Sequence, residues 1–288
     1  MGGTEAQGDT AAGRSSGTEA QAAASGYLLA GQASELERLQ LQSRVWEPSG
    51  RRLLEELGDG GGARVLDVGC GALGWLRILS EWVGPDGEVT GTDFDEAMLQ
   101  AANEFVAREG LENVRLLKDD LFASELESHV FDLVHARFEI TPLGRASEQM
   151  ETYVRLARPA GAIVLEDPDP GSWRFNPSAP ALEKLIELII EAFRLSGGDW
   201  AAARHHLRLL RDFGIEGSVR ADVVALPPGH PYLGLPLQFA TALESRLLAL
   251  VTEEELGRLR KNAQAELRDE ALWGTTFTLL QFWGRTPR

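Results

Sequence analysis

The chain has 288 residues, 43% of them apolar and 25% charged, enough to bury a substantial core in one domain with an attached helical cap. Its 28 basic against 44 acidic residues leave a formal charge of −16, which repels a phosphate backbone and argues against nucleic acid as a partner. A lone cysteine, Cys70, excludes an internal disulfide, and no apolar run approaches the ~20 residues of a membrane helix or forms a leader pattern, so a cytoplasmic protein without membrane contact is expected.

Residues 1–26 are nearly all Gly, Ala, Ser, Thr, Gln and charges and are expected to form a disordered tail, since they cannot offset their ordering entropy. Residues 27–62 read as an N-terminal helical lid. Ser34 and Glu37 have capping-box spacing, and Leu36, Leu39 and Trp46 form a helical stripe. Pro48 then suits the start of a second helix carrying Leu53, Leu54 and Leu57, ended by Gly58 and residues 60–62.

Residues 63–168 alternate short apolar runs with helical patterns, as parallel βαβ units do. Strands are expected at Arg64–Val68, Val89–Thr92, Val114–Leu117, Phe131–His135 and Ala162–Glu166, with helices at Leu73–Val83 and Asp95–Arg108. Residues 169–199 form an insertion whose helix, Ala181–Phe193, is too apolar to stand alone in water and is expected to roof a pocket. Residues 200–288 read as the rest of the core. They comprise a helix at Trp200–Phe213, strands at Ser218–Leu226 and Thr275–Trp283, and between them the loop Pro227–Pro236 and further helices.

Gly69, Gly71 and Gly74 follow the first strand and open a helix, so backbone amides and the positive helix end converge on one spot. By glycines alone the spacing fits a dinucleotide, and a nicotinamide-dependent reductase stands as one reading. Asp67 shifts the balance. A carboxylate beside the loop opposes a pyrophosphate but suits S-adenosylmethionine, which carries an ammonium and a sulfonium and no phosphate; local pairing of Asp67 is the competing reading. Asp93, 24 residues after Gly69, ends the second strand, where it can accept both ribose hydroxyls. Asp120 could accept from an adenine amino group between Phe94 and Leu121; an ordinary acidic turn is the alternative.

The ordered series Val65-Leu66-Asp67-Val68-Gly69-Cys70-Gly71, Gly91-Thr92-Asp93, Asp120, Phe131-Asp132-Leu133-Val134 and Arg158-Pro159-Ala160-Gly161 resembles class I S-adenosylmethionine-dependent methyltransferases. Within that group it is similar to quinone-biosynthesis-type and bacterial natural-product enzymes acting on small molecules. The resemblance implies a Rossmann-like α/β fold, with a seven-stranded mostly parallel sheet, helices on both faces and helical cap insertions, the last strand being antiparallel. It also implies that Asp67, Gly69 and Gly71 hold the methionine portion of the cofactor, Asp93 the ribose, and Phe94, Asp120 and Leu121 the adenine, with Cys70 a further cofactor-binding residue of the loop. Tyr27 and Gln42 are candidate lid contacts. Ala160, where the family's turn has glycine, and Ala72-Leu73 after the loop depart from the pattern.

Methyl transfer needs a positioned nucleophile and, for an oxygen or carbon acceptor, a base. His135, after the fourth strand, suits the cofactor's methyl end and is a candidate for that role, as is His230; no catalytic residue is fixed by the sequence. Arg137 could meet a substrate anion or a structural partner, and His205 and His206 lie on a helix that could reach the pocket. Cys70 reads as a small loop residue rather than a nucleophile, and no spacing predicts a metal site. The expected function is methylation of a small, largely apolar metabolite at O, N or C. The alternatives are an NAD(P)-dependent reductase and a cofactor-binding domain that does not methylate, and assembly into a homo-oligomer stays open.

Overall fold

A computed structural model describes residues 33–288, beginning with helix α1 (Ala33–Leu57). Five strands then run parallel: β1 (Arg64–Val68), β2 (Glu88–Asp93), β3 (Val114–Lys118), β4 (Phe131–Arg137) and β5 (Ala157–Asp169). They are joined through α2 (Leu76–Val83), α3 (Glu96–Glu109), α4 (Ile140–Leu143) and α5 (Ala146–Leu156). The remainder supplies β6 (Arg174–Asn176), α6 (Pro180–Leu195), α7 (His206–Asp212), β7 (Gly217–Asp222) and β8 (Ala225–Leu226). After these come α8 (Leu235–Ala242), α9 (Glu244–Leu247), α10 (Glu253–Glu266), β9 (Trp273–Thr275) and β10 (Thr278–Arg285).

The main sheet has the order β3-β2-β1-β4-β5-β10-β7, with β10 antiparallel to both neighbours. This is the expected seven-stranded Rossmann-like sheet. Side chains alternate between its faces, so Val65, Val89 and Leu133 pack against α1, α2 and α3, while Leu66, Val134 and Ile163 pack against α5 and α7. Local signals set the helix ends. Asp95 Oδ1 accepts from the Ala97 and Met98 amides at the start of α3, and Gly110, in the left-handed region at φ 67°, ends it.

A separate layer covers the carboxyl ends of the strands. There α6, α8 and α10 pack with the small sheet β6-β9-β8 around Trp173, Trp200, Phe239 and Phe277. α6 buries Leu182, Leu185, Ile186, Ile189 and Phe193, spaced as one helix face, and leaves the Lys184–Glu187 and Arg194–Glu191 pairs outside. Glu266 of α10 accepts from the Ala181 and Leu182 amides and caps α6 across the layer.

Several sequence boundaries are corrected. Pro48 does not divide two helices: α1 runs through it, because Trp46 on one side and Leu53 and Leu54 on the other are fully committed to buried clusters. α2 starts at Leu76 rather than Leu73, since the glycine loop needs its own irregular turn up to Trp75. The expected helix Trp200–Phe213 is a 3₁₀ turn, Ala202–His205, followed by α7. The two late strands each split: β8 and β9 leave the main sheet to join β6, a sheet that local alternation did not reveal.

Ala160 takes φ 58°, the left-handed conformation expected of the glycine it replaces. Ala160→Gly should therefore raise unfolding stability by about 0.5–1 kcal/mol, the relief of Cβ strain less the extra chain entropy of glycine. Urea denaturation of the two proteins checks this; an unchanged or lowered midpoint would contradict it.

Candidate active site

The site is built at the carboxyl edge of β1, β2 and β4, where the strand order reverses and α/β sheets leave a crevice. After β1 the chain turns through Gly69 at φ 60° and Gly74 at φ 42°. A side chain at Gly69 would collide with the Glu139 carboxylate, and one at Gly74 with Asp67, so both positions demand glycine by space as well as by conformation. The loop is tied to β2, since Cys70 N–H donates to the Thr92 carbonyl (2.8 Å) and Gly71 N–H to Asp93 Oδ2 (2.9 Å). Asp93 Oδ1 accepts from Asp95 N–H at 2.8 Å, and burial, partly opposed by these backbone donors, raises its carboxyl to about 6.

A cavity of about 450 Å³ opens over this loop. One end is lined by Gly69, Cys70, Gly71, Asp93, Phe94, Asp120 and Leu121, all expected from the sequence to face one ligand, together with Met98. Gln42 of α1 also lines it and accepts from Arg38 Nη1 at 2.7 Å. Asp120 Oδ1 receives the Phe122 N–H (2.9 Å), forming the acidic turn that was its competing reading while still bordering the cavity. Tyr27 lies outside the described residues. The other end is aromatic, formed by Phe138, Phe193, Trp200, Phe239 and Phe277.

His135 and His230 do not lie where the expected site puts them, and Asp67 serves the framework as well as the cavity edge. Asp67 borders the cavity but is 1% exposed, and its two oxygens serve the framework: Oδ2 takes the Trp75 N–H (2.9 Å) and Oδ1 pairs with His135 Nδ1 (2.7 Å). Asp67 thus combines local pairing with a place on the cavity edge. His135 does not reach the cavity. It is fully buried, stacked on Trp75 (centroids 3.9 Å apart), and its Nε2 lies 3.1 Å from Glu166 Oε2, so neither ring nitrogen is left for a substrate. His230 accepts from Tyr232 N–H at the start of a 3₁₀ turn and does not line the cavity either. His206 is bonded to Asp167 (2.8 Å) and His205 is exposed, both away from the lining.

Glu139, Arg38, Phe239 and Phe277 belong to the lining without a sequence signal that singled them out. Glu139 stands four residues after His135 on the same strand edge, and that offset was the available clue. Arg137 also lines the cavity; its Nη2 donates to the Gly74 carbonyl at 3.3 Å, while its Nη1 is buried without a partner among the described residues. Among the described residues no group of three or more His, Cys, Asp or Glu could hold a metal, and no helix is long and apolar enough to cross a membrane.

A glycine loop on β1, an acid ending β2 and a seven-stranded sheet with β10 reversed define a methyltransferase framework. Residues 59–222 match the methyltransferase-domain family, and the chain belongs to the class I S-adenosylmethionine-dependent methyltransferases, with S-adenosylmethionine as its cofactor. It is 35% identical over 123 residues to demethylmenaquinone methyltransferase of Staphylococcus aureus, a match covering 43% of this chain and 49% of that protein. The chain therefore spans about half the length of the curated relatives it matches. Among solved structures it resembles an S-adenosylmethionine-dependent methyltransferase from Aquifex aeolicus, with 26% identity, 59% and 80% of the two chains covered and a TM-score of 0.46. It also resembles the YcgJ protein from Bacillus subtilis, with 15% identity, 82% and 97% covered and a TM-score of 0.53, a likeness of fold. The nicotinamide reading is set aside by the family.

His135 has a defined energetic consequence. Burial pulls its pKa down, but the Asp67 and Glu166 carboxylates outweigh burial and raise it above the ordinary histidine value. Its contribution to stability is thus fully present below the unfolded pKa and lost as pH rises through the folded one. His135→Ala, which leaves two buried carboxylates without their shared partner, should cost about 3–5 kcal/mol at pH below the ordinary histidine value. Melting curves across a pH series should show the gap between wild type and variant narrowing toward alkaline pH; a constant gap would contradict the charged pairing.

Proposed function

We propose that the protein transfers a methyl group from S-adenosylmethionine to a small, largely apolar metabolite. The observation that carries this reading is that the glycine loop and Asp93 line the same cavity as the side chains Phe138, Phe193, Trp200, Phe239 and Phe277. When bound, the cofactor supplies a methyl group activated by positive sulfur. The chain's own part is to bind, orient and exclude water, from which orientation can contribute about 7–11 kcal/mol.

In this reading Asp93 accepts from the ribose hydroxyls, and Phe94, Asp120 and Leu121 border the adenine. The loop amides of residues 69–71 and the lid residues Gln42 and Arg38 serve the methionine portion, with the guanidinium suited to its carboxylate. Phe138, Phe193, Trp200, Phe239 and Phe277 offer an acceptor flat apolar walls and keep water from the reacting end. An apolar acceptor is also in keeping with the relative from Staphylococcus aureus, whose name denotes an enzyme of menaquinone chemistry.

Calorimetric titration with S-adenosylhomocysteine and, separately, NADH tests the cofactor. Micromolar binding of the first alone is expected, and a folded Asp93→Ala variant should lose on the order of 10- to 100-fold in affinity, the value of one hydrogen bond to a charged acceptor. Binding of NADH, or of neither ligand by folded protein, would overturn the reading. Because the Asp93 carboxyl lies at about 6, affinity should fall as pH drops below that value, where the ribose acceptor becomes protonated. Incubation of the protein with radiolabelled S-adenosylmethionine and a panel of hydroxylated aromatic and prenylated acceptors then tests the substrate class; transfer confined to polar, non-aromatic acceptors would sink it.

A further inference from the structure

The acids around the cavity differ in what they are bonded to. Asp67 holds Trp75 N–H and His135, Asp93 holds the Gly71 and Asp95 amides, and Asp167 holds Thr141 N–H and His206. Glu139 lines the same cavity, yet among the described residues no donor or cation bonds its carboxylate. The cations that line the cavity bond other groups: Arg38 bonds Gln42, Arg145 bonds Glu148, and Arg137 bonds the Gly74 carbonyl through Nη2, its Nη1 having no partner among the described residues.

The backbone sets Glu139 in place deliberately. Phe138, immediately before it, takes φ 60°, a conformation costly for an aromatic residue, and its N–H is pinned to the Glu166 carbonyl at 2.8 Å. The result is a carboxylate resting on the Cα of Gly69, the first residue of the cofactor loop, where any side chain would displace it. The titratable groups facing it are Asp67 from β1, Cys70 from the loop, Asp93 from β2, Asp167 from β5 and Tyr153 from α5. Burial, with Asp93, Asp167 and Asp67, holds Glu139 well above the usual carboxylate range. An enclosed acid among acids, without a counter-charge, is a site for a positive ligand.

We propose that Glu139 is the anionic partner of the cofactor's sulfonium, a specificity residue that favours the charged methyl donor over its neutral thioether product. This rests on the cofactor reading given above. Burial among acids favours the protonated carboxyl and an adjacent cation favours the ionised one, so binding of the sulfonium shifts Glu139 toward releasing its proton to solvent and loss of that charge shifts it back. The same residue thereby holds the donor and loosens the product.

Calorimetry at about pH 7.5, where Asp93 stays ionised, in phosphate and in Tris, reads both affinity and the number of protons exchanged. Wild type, Glu139→Gln and Glu139→Asp are each titrated with S-adenosylmethionine and S-adenosylhomocysteine. The ligand's own amino group also titrates near this pH, equally for each protein, so the readout is the difference between proteins. With S-adenosylmethionine, wild type and Glu139→Asp should release more protons than Glu139→Gln. Glu139→Gln should bind S-adenosylmethionine more weakly by on the order of 10- to 100-fold and S-adenosylhomocysteine by less than about threefold. Equal proton counts in wild type and Glu139→Gln, or equal weakening of both ligands, would overturn the proposal while leaving the cofactor reading intact. Failure of folded wild type to bind either ligand would overturn the cofactor reading and the proposal with it. Should Glu139→Gln not fold by circular dichroism, wild type decides: its preference for S-adenosylmethionine must grow as pH rises through neutrality, and a flat ratio overturns the proposal.

Discussion

A chain of buried polar side chains crosses the middle of the sheet, and the geometry of the site depends on it. Asp67 of β1 pairs with His135 of β4, His135 with Glu166 of β5, and Glu166 accepts from Gln281 Nε2 of β10 at 2.5 Å. All four residues are at most 1% exposed. Gln281 continues the chain to Arg220 of β7 and to the Ser49 carbonyl of α1. An imidazole between two carboxylates has a partner for each ring nitrogen, and those carboxylates raise its pKa above the ordinary histidine value despite its burial. Because each partner stands on a neighbouring strand, the chain fixes register where β1 hands over to the glycine loop, and the second oxygen of Asp67 fixes the start of α2 through Trp75 N–H.

This framework separates two kinds of acid. Asp67, Glu166 and Asp167 have their charge matched by histidines and amides and act in the scaffold. Asp93 and Glu139 border the cavity with raised pKa values, the first held only by backbone donors, the second by nothing among the described residues. Unmatched negative charge at the carboxyl edge of a sheet, next to a helix start, is an unusual combination for a phosphate ligand and a natural one for a ligand with a carboxylate at one end and a cation at the other.

The aromatic layer over the cavity is assembled from distant segments. Phe277 contacts Trp46, Phe138, Trp173, Trp200 and Tyr232, residues drawn from α1, the β4 edge, the insertion, the segment before the Ala202–His205 turn and the late loop. Trp46 also donates to the Tyr232 hydroxyl at 3.3 Å, so the lid helix and the cap form one body. An apolar chamber of this kind is rigid because each ring is held by several others, a property suited to orienting an acceptor rather than to chemistry of its own.

The sequence by itself determined the strand–helix alternation, the glycine loop and the acid ending β2, because each is written in neighbouring residues: β1 falls at Arg64–Val68 as its apolar run predicts, and Asp93 lies where the spacing from Gly69 puts it. Tertiary structure alone decided what the acids and histidines do. His135 has a sequence position that suits a base, but the strands on either side bring carboxylates to both its nitrogens. Glu139, with no motif around it, is turned onto Gly69 by a backbone conformation that composition and periodicity do not encode. The small sheet and the Phe277 cluster join segments as distant in the chain as Arg174 and Thr275 or Trp173 and Phe277, and pairing at that range is selected by packing, which local patterns do not carry.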